Sequence, residues 1–466
     1  MEKITVGDLV EACGGRLLCG KKEAFLSHIR LDSREVKEGD VFVPLIGARQ
    51  DAHRFLSQVL KAKAGAVLTS EHQTAEGEQA WIAVEDTKEA LQRMGSWFRE
   101  RNSLPLVGIT GSVGKTTTRE MVAAALSARY RVYKTPGNYN SQVGVPITLS
   151  EIRQEDEIGV IELGMSEPGE MDRIARIARI DQAVITNIGV AHIGQLGSQE
   201  NICREKLKIQ EGMKEGGLLF VHGDDPFLQK VKAKAGCRRI CYGTGDNCDY
   251  QAVDIGKEDG FPVFTAVDRA RGEKVRVKLS VFGKHMVSNA MVALAVAREN
   301  GVSLEEAAAA LARFHGVKGR QQVFVKRGIT VIDDSYNASP VSMKAGIEVL
   351  CDIPAKGRRV AVLADMKELG LEEERFHREV GSFLAVHPVE KTVLLGRLAG
   401  EIGRQLEEEN QNTDSRGSKP VYFLEKEELL AWLREELTQG DVVLFKGSNS
   451  MGLSAVVKEL FGEWTK

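Results

Sequence analysis

The stretch VGITGSVGKTTTREM, residues 107–121, decides the fold of this chain. The apolar run 104–110 before it is typical of a short buried strand, and residues 116–128 are mostly good helix formers. The glycines therefore fall at a strand-to-helix turn, where free backbone amides and the helix dipole favour a polyphosphate. The turn predicts a nucleoside triphosphate site built from Gly111, Ser112, Gly114, Lys115, Thr116 and Thr117.

Two of these side chains have distinct expected roles. Lys115 can reach the outer phosphate oxygens, and the hydroxyl of Thr116 can bind Mg²⁺. The turn departs from the full pattern G-x-x-x-x-G-K-[ST], because Ile109 occupies the place of the first glycine. An ordinary glycine-rich turn is the alternative, but a strand, Gly-Lys-Thr and a helix together favour the phosphate loop. By itself the loop indicates only a nucleoside triphosphate with Mg²⁺.

Length and charge narrow the class of protein. A chain of 466 residues predicts about three domains. With 63 basic and 66 acidic side chains the formal charge is -3, so no basic nucleic-acid surface or membrane-binding face is expected. The first residues, MEKITVGDLV, carry charges and show no secretory signal, and no stretch resembles a membrane helix. We therefore expect a cytoplasmic protein.

Seven scattered cysteines do not form the pattern of a disulfide framework. Cys237, Cys241 and Cys248 are the one cluster, and a zinc site there would need a fourth ligand at matching spacing. Buried or unreactive thiols are the favoured interpretation.

The order of apolar runs and helical patterns predicts an α/β protein of three domains. From residue 104 strands and helices alternate, which favours a mainly parallel, doubly wound sheet in a central P-loop ATPase domain at 86–313. Within it, 250–280 alternates in a way typical of antiparallel strands. A second alternation predicts a Rossmann-like C-terminal domain at 314–466, and residues 1–85 form a small N-terminal α/β domain. The polar stretch 407–419 is expected to be a loop.

Several side chains follow predicted strands or begin predicted helices. Glu162 ends the strand GVIELG and could bind Mg²⁺, and His192 follows another strand end, within reach of the same metal. Lys206 lies on a helix, and Asn289 could contact a nucleobase edge. Three of them also have an ordinary interpretation: His192 as a structural histidine, Glu162 as a strand-edge carboxylate without a function and Lys206 as a solvated lysine.

The motifs taken together resemble the Mur ligase family over essentially the whole length. They are, in chain order, LDSREVKEGDVF, ITGSVGKTTT, GNYNSQVGVP, IELGMSEPGEM, TNIGVAHI, GSQENICREKLKI, GKHMVSNAM, GR at 319–320, IDDSYNASP, LADMKELG and LFKGS. So many independent matches are far more specific than any one motif.

The resemblance implies an ATP-dependent ligase with two substrates, UDP-N-acetylmuramoyl-tripeptide and D-alanyl-D-alanine. In this family ATP phosphorylates a carboxylate, because a carboxylate at neutral pH does not react with amines. The amine then attacks the acyl phosphate. Both steps crowd negative charge together, so cations should supply most of the stabilisation.

The resemblance also implies roles for individual residues. Lys115 would stabilise the β- and γ-phosphate oxygens, Thr116 and Glu162 would bind one Mg²⁺, and His192 would bind a second. Lys206 occupies the position that the family converts with CO₂ to a carbamate, an anion in place of a cation. The implied partners are the two substrates, and we expect a monomer.

Further positions match the family's substrate contacts. Asn289 in the central domain, and Arg320 and Asp334 in the C-terminal one, would contact ATP, so domain closure would complete the nucleotide site. Other matching positions would bind the UDP-linked substrate: Ser33, Arg34, Asn138 and Asn140. Ser339 and Asn449 depart from the family pattern in the part expected to bind the amine.

Three alternatives remain open at this stage. A ligase adding the third stem residue would carry Asp-Asn-Pro-Arg, which this chain lacks. Folylpolyglutamate ligases lack the N-terminal domain. A non-catalytic nucleotide switch would need only the P-loop and its metal, and so would not explain Glu162, His192 and Lys206 together.

Overall fold

The computed structural model of the chain describes residues 4–47, 50–75, 77–387, 389–412 and 419–462. Three α/β units follow one another along the chain, each built on its own main sheet. No helix within these ranges is both long enough and apolar enough to cross a bilayer.

The N-terminal unit has a five-stranded sheet in the order β2-β7-β6-β5-β4 and a two-stranded sheet, β1-β3. Its elements are β1 (Ile4–Thr5), α1 (Val6–Cys13), β2 (Arg16–Cys19), β3 (Phe25–Leu26), β4 (Ile29–Arg30), β5 (Val41–Phe42), α2 (Leu56–Lys61), β6 (Ala66–Thr69), β7 (Ala80–Ala83) and α3 (Thr87–Arg101). Helix α3 packs against α1 of this unit and against helices of the next one.

The central unit has a nine-stranded sheet in the order β16-β15-β14-β13-β12-β11-β8-β10-β9. Its elements are β8 (Leu106–Thr110), α4 (Lys115–Leu126), β9 (Val132–Lys134), α5 (Gly144–Ser150), β10 (Ile158–Glu162), α6 (Glu170–Ala178), β11 (Gln182–Ile185), α7 (Ile193–Leu196), α8 (Gln199–Leu207), β12 (Leu218–His222), β13 (Arg238–Gly243), β14 (Tyr250–Glu258), β15 (Phe261–Asp268), β16 (Glu273–Lys278), α9 (Met286–Glu299) and α10 (Leu304–Leu311). Strands β9 to β14 pair in parallel, and β14 to β16 pair antiparallel, as the alternation predicted.

Two apolar layers cover this sheet. Helices α4, α9 and α10 bury one face, and α5, α6 and α8 bury the other. The strand order reverses at β8, whose neighbours β10 and β11 follow it in sequence. Ligands of doubly wound folds bind at such a reversal, at the carboxyl ends of the strands. The P-loop lies at this point, directly after β8.

The C-terminal unit has a six-stranded sheet in the order β17-β18-β22-β19-β20-β21, parallel except for β17. Its elements are β17 (Gln322–Lys326), β18 (Ile329–Asp334), α11 (Pro340–Asp352), β19 (Arg359–Ala364), α12 (Glu373–Ala385), β20 (Lys391–Leu395), α13 (Ala399–Asn412), β21 (Val421–Phe423), α14 (Lys426–Glu436), β22 (Val442–Lys446) and α15 (Leu453–Phe461). Short 3₁₀ helices span Ala52–Phe55, Lys208–Gly212, Gly370–Glu372 and Asn449–Met451.

The predicted three-unit α/β class is confirmed, while the domain boundaries at 85 and 313 stay predictions. One local prediction was wrong: residues 407–412 continue helix α13 instead of forming a loop. Buried Ile402 and Leu406 give this polar helix an apolar stripe that packs on the core. The rest of that predicted loop, 413–418, lies outside the described residues.

Candidate active site

The loop between β8 and α4 adopts a backbone suited to glycine. Gly111 has a φ of +151° and Gly114 a φ of +82°. A Cβ on Gly111 would lie 1.8 Å from Oγ1 of Thr186, so the neighbouring strand end leaves no room for a side chain. The amide of Ser112 donates to the carbonyl oxygen of Asn187 at 3.0 Å. Strand β11 therefore holds the loop in a fixed shape at the first turn of α4.

Oxygen donors suited to Mg²⁺ meet beside this loop. The hydroxyl of Thr116 donates to Oε2 of Glu162 at 2.8 Å, and the side-chain amide of Asn140 donates to Oε1 at 2.8 Å. Glu162 pairs with Ile109 in the parallel ladder, which places its carboxylate next to the loop. A hydroxyl and a carboxylate are ligands that Mg²⁺ prefers, so the residues present fit this metal.

Two lysines of this region have lowered pKa values. Nζ of Lys115 donates to the carbonyl oxygen of Gly111 at 2.8 Å, and burial lowers its pKa against the opposing effect of Glu162. Lys206 is 1 % exposed on α8, and no hydrogen bond or ion pair joins its ammonium to a described residue. Burial, reinforced by the charge of Lys115, places the pKa of Lys206 well below its ordinary value.

His192 connects the central and C-terminal units. It has a φ of +64°, and its Nδ1 lies 2.8 Å from Oε2 of Glu368. The imidazole holds the pKa of the Glu368 carboxyl below its usual value. Because Nδ1 faces Glu368, Nε2 is the ring atom left for a metal ion.

Residues of both units lie where the nucleotide is expected. Oδ1 of Asn289 accepts a hydrogen bond from Oγ1 of Thr118 at 3.2 Å. The Arg320 guanidinium lies 4.0 Å from the centre of the Tyr336 ring. Burial raises the pKa of Asp334, although its carboxylate accepts a hydrogen bond from Nζ of Lys446 at 2.6 Å.

A cavity of about 930 Å³ joins these groups. Among the predicted site residues, those on its wall are Ser112, Gly114, Lys115, Thr117, Asn140, Glu162, His192, Asn289, Arg320 and Asp334. The predicted site residues Gly111, Thr116 and Lys206 do not line the cavity. Ser339 and Asn449, expected near the amine, also line the cavity.

Three predicted substrate residues lie away from the cavity. Ser33 is buried and donates to Oε1 of Gln58 at 3.4 Å. Arg34 is exposed, and its Nε donates to Asp32 at 2.8 Å. Asn138 is exposed on the loop before α5. Their role in binding the UDP-linked substrate stays a prediction.

The cavity wall includes residues that the sequence reasoning missed. His222 stacks on Tyr242 with ring centres 5.3 Å apart, among the last residues of β12 and β13. His285 precedes α9, and burial lowers its pKa to about 4. The acidic pair Asp224 and Asp225, which follows β12 closely, was a usable signal in the sequence for His222. Lys446 gave no such signal, because an apolar strand surrounds it.

The cysteine cluster does not assemble as a zinc site. Sγ of Cys241 lies 3.1 Å from Sγ of Cys248, and both are buried. Across the described ranges, the only metal-compatible group of three His, Cys, Asp or Glu side chains is Asp51, His53 and Glu71. This agrees with the interpretation of the cysteines as buried thiols.

Comparison with known proteins gives matches across the chain. The Mur ligase middle domain matches residues 109–297, and the Mur ligase glutamate ligase domain matches residues 319–449. UDP-N-acetylmuramoyl-tripeptide--D-alanyl-D-alanine ligase of Bacillus subtilis (strain 168) is 37 % identical over 464 residues, 99 % of each chain. The ligase of that name from Escherichia coli (strain K12) is 30 % identical, again over 99 % of each chain.

Solved structures give the same result. A crystal structure of MurF from Acinetobacter baumannii has a TM-score of 0.87 and 31 % identity, covering 99 % of this chain and 100 % of that one. MurF ligase from Thermotoga maritima in complex with ADP has a TM-score of 0.79 and 30 % identity, covering 95 % of this chain and 98 % of that one. Since the motifs, the cavity and these full-length similarities agree, the chain belongs to the Mur ligase family, in the group of UDP-N-acetylmuramoyl-tripeptide--D-alanyl-D-alanine ligases.

Proposed function

We propose that this chain uses ATP to join D-alanyl-D-alanine to UDP-N-acetylmuramoyl-tripeptide in peptidoglycan precursor synthesis, giving ADP and phosphate. Relatives that match over the whole length carry the name of this reaction. The observation that carries the proposal is the single cavity that joins the P-loop residue Lys115 to Arg320 and Asp334 of the C-terminal unit. A nucleotide switch would not need this second unit.

The order of steps follows from the chemistry of carboxylates. The γ-phosphoryl group of ATP passes to the terminal carboxylate of the tripeptide, which forms an acyl phosphate and ADP. The amine of the dipeptide attacks the acyl carbon, the amide bond forms, and phosphate leaves with the carboxylate oxygen. Lys115 would stabilise the phosphate oxygens, where preorganised positive charge is most effective.

Thr116 and Glu162 would bind one Mg²⁺, and Nε2 of His192 would contribute to a second. Bound there, the metal would supply positive charge beside the phosphates. Hydrogen bonds from Asn140 and Thr116 orient both oxygens of Glu162 before any ligand binds.

Lys206 is suited to carbamylation. Its lowered pKa makes the neutral amine available, and this amine can add CO₂ with loss of one proton to give a carbamate anion. A protonated Lys206 near Lys115 would repel a metal ion, whereas a carbamate would support it. This exchange of charge would account for the burial near the phosphate loop of a lysine whose ammonium has no partner in the part of the chain that the structure describes.

The remaining assignments belong to the same proposal. Ser33, Arg34 and Asn138 would contact the UDP-linked substrate outside the cavity, and Asn140 would do so from its wall. The three domains would span 1–85, 86–313 and 314–466. The enzyme would act as a cytoplasmic monomer.

Isotope transfer tests the proposed chemistry. With ¹⁸O in the terminal carboxylate of the tripeptide, we expect one labelled oxygen in the released phosphate. Release should also require D-alanyl-D-alanine within a panel of amines. Unlabelled phosphate would contradict the acyl phosphate, and equal release with other amines would contradict the proposed acceptor.

A further inference from the structure

We propose that Lys367 binds the terminal carboxylate of the incoming dipeptide and so determines specificity for the acceptor. The inference rests on the proposed ligation. An acceptor dipeptide brings one group that reacts, its amine, and one that does not, its carboxylate. A carboxylate entering a partly desolvated cavity needs a cationic partner.

The cavity wall offers few lysine or arginine side chains for this task. Within the described part of the chain they are Lys115, Arg320, Lys367 and Lys446. Lys115 belongs to the phosphate loop, and Arg320 stacks on Tyr336 at the nucleotide site. Lys446 is 1 % exposed and donates to Asp334 at 2.6 Å. Lys367 remains, and 44 % of its side chain is exposed.

Lys367 is also held in place. Its Nζ donates to Oδ2 of Asp365 at 2.8 Å, which occupies one of its three N–H groups. Oδ1 of Asp365 accepts the backbone amide of Ala399 at 2.7 Å, so this carboxylate cannot turn away freely. The amide of Lys367 donates to Oγ of Ser448 at 2.9 Å. A fixed ammonium with two free N–H groups is preorganised for a carboxylate.

The surrounding wall fits a small apolar peptide. The apolar residues that the C-terminal unit contributes to the cavity are Ala338, Val341, Ala345 and Leu369. Val341, in the first turn of α11, is 57 % exposed although apolar. Methyl groups of a D-alanyl peptide would cover such a surface. A cation and small apolar side chains on the wall of one cavity therefore predict a small apolar acceptor with a free carboxylate.

The test compares D-alanyl-D-alanine with D-alanyl-D-alaninamide, which lacks the carboxylate, in the wild type and in Lys367→Met. Phosphate release gives KM and kcat. We expect the amide to have a higher KM than the acid in the wild type by about tenfold to a hundredfold, the value of a charge-assisted hydrogen bond. In Lys367→Met the KM for D-alanyl-D-alanine should rise to the value for D-alanyl-D-alaninamide. Lys367→Arg should restore much of the preference.

The control is Lys344→Met, a lysine of α11 that pairs with Glu379 at 3.4 Å and lies off the cavity wall. This variant should keep the wild-type preference for the acid, and KM for ATP should stay unchanged in all variants. If Lys367→Met raised KM by the same factor for D-alanyl-D-alanine and for its amide, the proposal would be overturned, because Lys367 would then only neutralise Asp365. If the wild type used a different amino acid as acceptor, the proposed function would be wrong. The same comparison of KM, made with that amino acid and its amide, would then test the role of Lys367.

Discussion

Lys206 is buried, and its ammonium has no hydrogen-bond or ion-pair partner among the described residues; such a group costs stability unless it loses its charge. The neighbouring lysine behaves in the ordinary way. Nζ of Lys208 donates to Oε2 of Glu205 at 2.6 Å and is partly exposed. Two lysines separated by one residue thus have opposite environments, which makes them a matched pair for experiment.

We expect Lys206→Ala to lower kcat at least about a hundredfold, the scale of losing one preorganised charged group. Short carboxylates such as acetate should partly restore activity, because they can occupy the place of the carbamate. Phosphate release measured against carboxylate concentration checks this. Lys208→Ala should keep near-normal activity and show no response to acetate. A Lys206→Ala enzyme with full activity in bicarbonate-free buffer would refute the carbamate.

At the scale of single elements, α9 begins at the boundary between the central and C-terminal units. His285 precedes its first residue, and burial together with the charge of Lys446 lowers the histidine pKa to about 4. An unfolded histidine has a pKa of about 6.5. Between these values the unfolded chain binds more protons than the native one. The contribution of the neutral imidazole to the free energy of unfolding is therefore present above about pH 6.5 and is lost as the pH falls toward 4.

From this shift we expect His285 to contribute about 2 kcal/mol to the loss of unfolding free energy between pH 7.5 and pH 5. His285→Gln should remove that part of the pH dependence, while the exposed His315→Gln should leave it intact. Urea unfolding at both pH values measures the difference between wild type and variant. If the free energy of unfolding changed equally with pH in the wild type and in His285→Gln, the imidazole would not be held neutral.

The elements also show what sequence patterns can predict. The alternation of strands and helices predicted both large sheets, because buried strands and amphipathic helices have different periods. Short strands are harder to recognise: within LDSREVKEGDVFVPL, residues 31–45, the structure has one strand of two residues, β5, and the rest of the run is turns and irregular backbone. The P-loop residues and those proposed to bind Mg²⁺ were identifiable as candidates, because they follow strands in the sequence. Lys367, Glu368 and Lys446 were not, because their positions depend on how two distant segments meet.

At the scale of the whole molecule, the site exists only where the central and C-terminal units touch. A Cβ on Gly194 would lie 3.2 Å from the Cα and amide nitrogen of Gly370, so the two backbones meet without side chains. The neighbouring contact between His192 and Glu368 joins the same two units. The two units therefore meet closely at these positions, beside the cavity that Arg320 and the P-loop also line.

We expect Gly194→Val to push the two units apart, because a branched side chain cannot fit against the backbone of Gly370. Arg320 and Asp334 would then lie too far from the phosphate loop, and kcat/KM for ATP should fall about tenfold to a hundredfold. The melting temperature should change little, since the clash lies between units and not in a core. Gly400→Val, at a site with nothing within 4 Å of an added Cβ, should leave activity unchanged. Wild-type kinetics in Gly194→Val would mean that this contact does not control the approach of the two units.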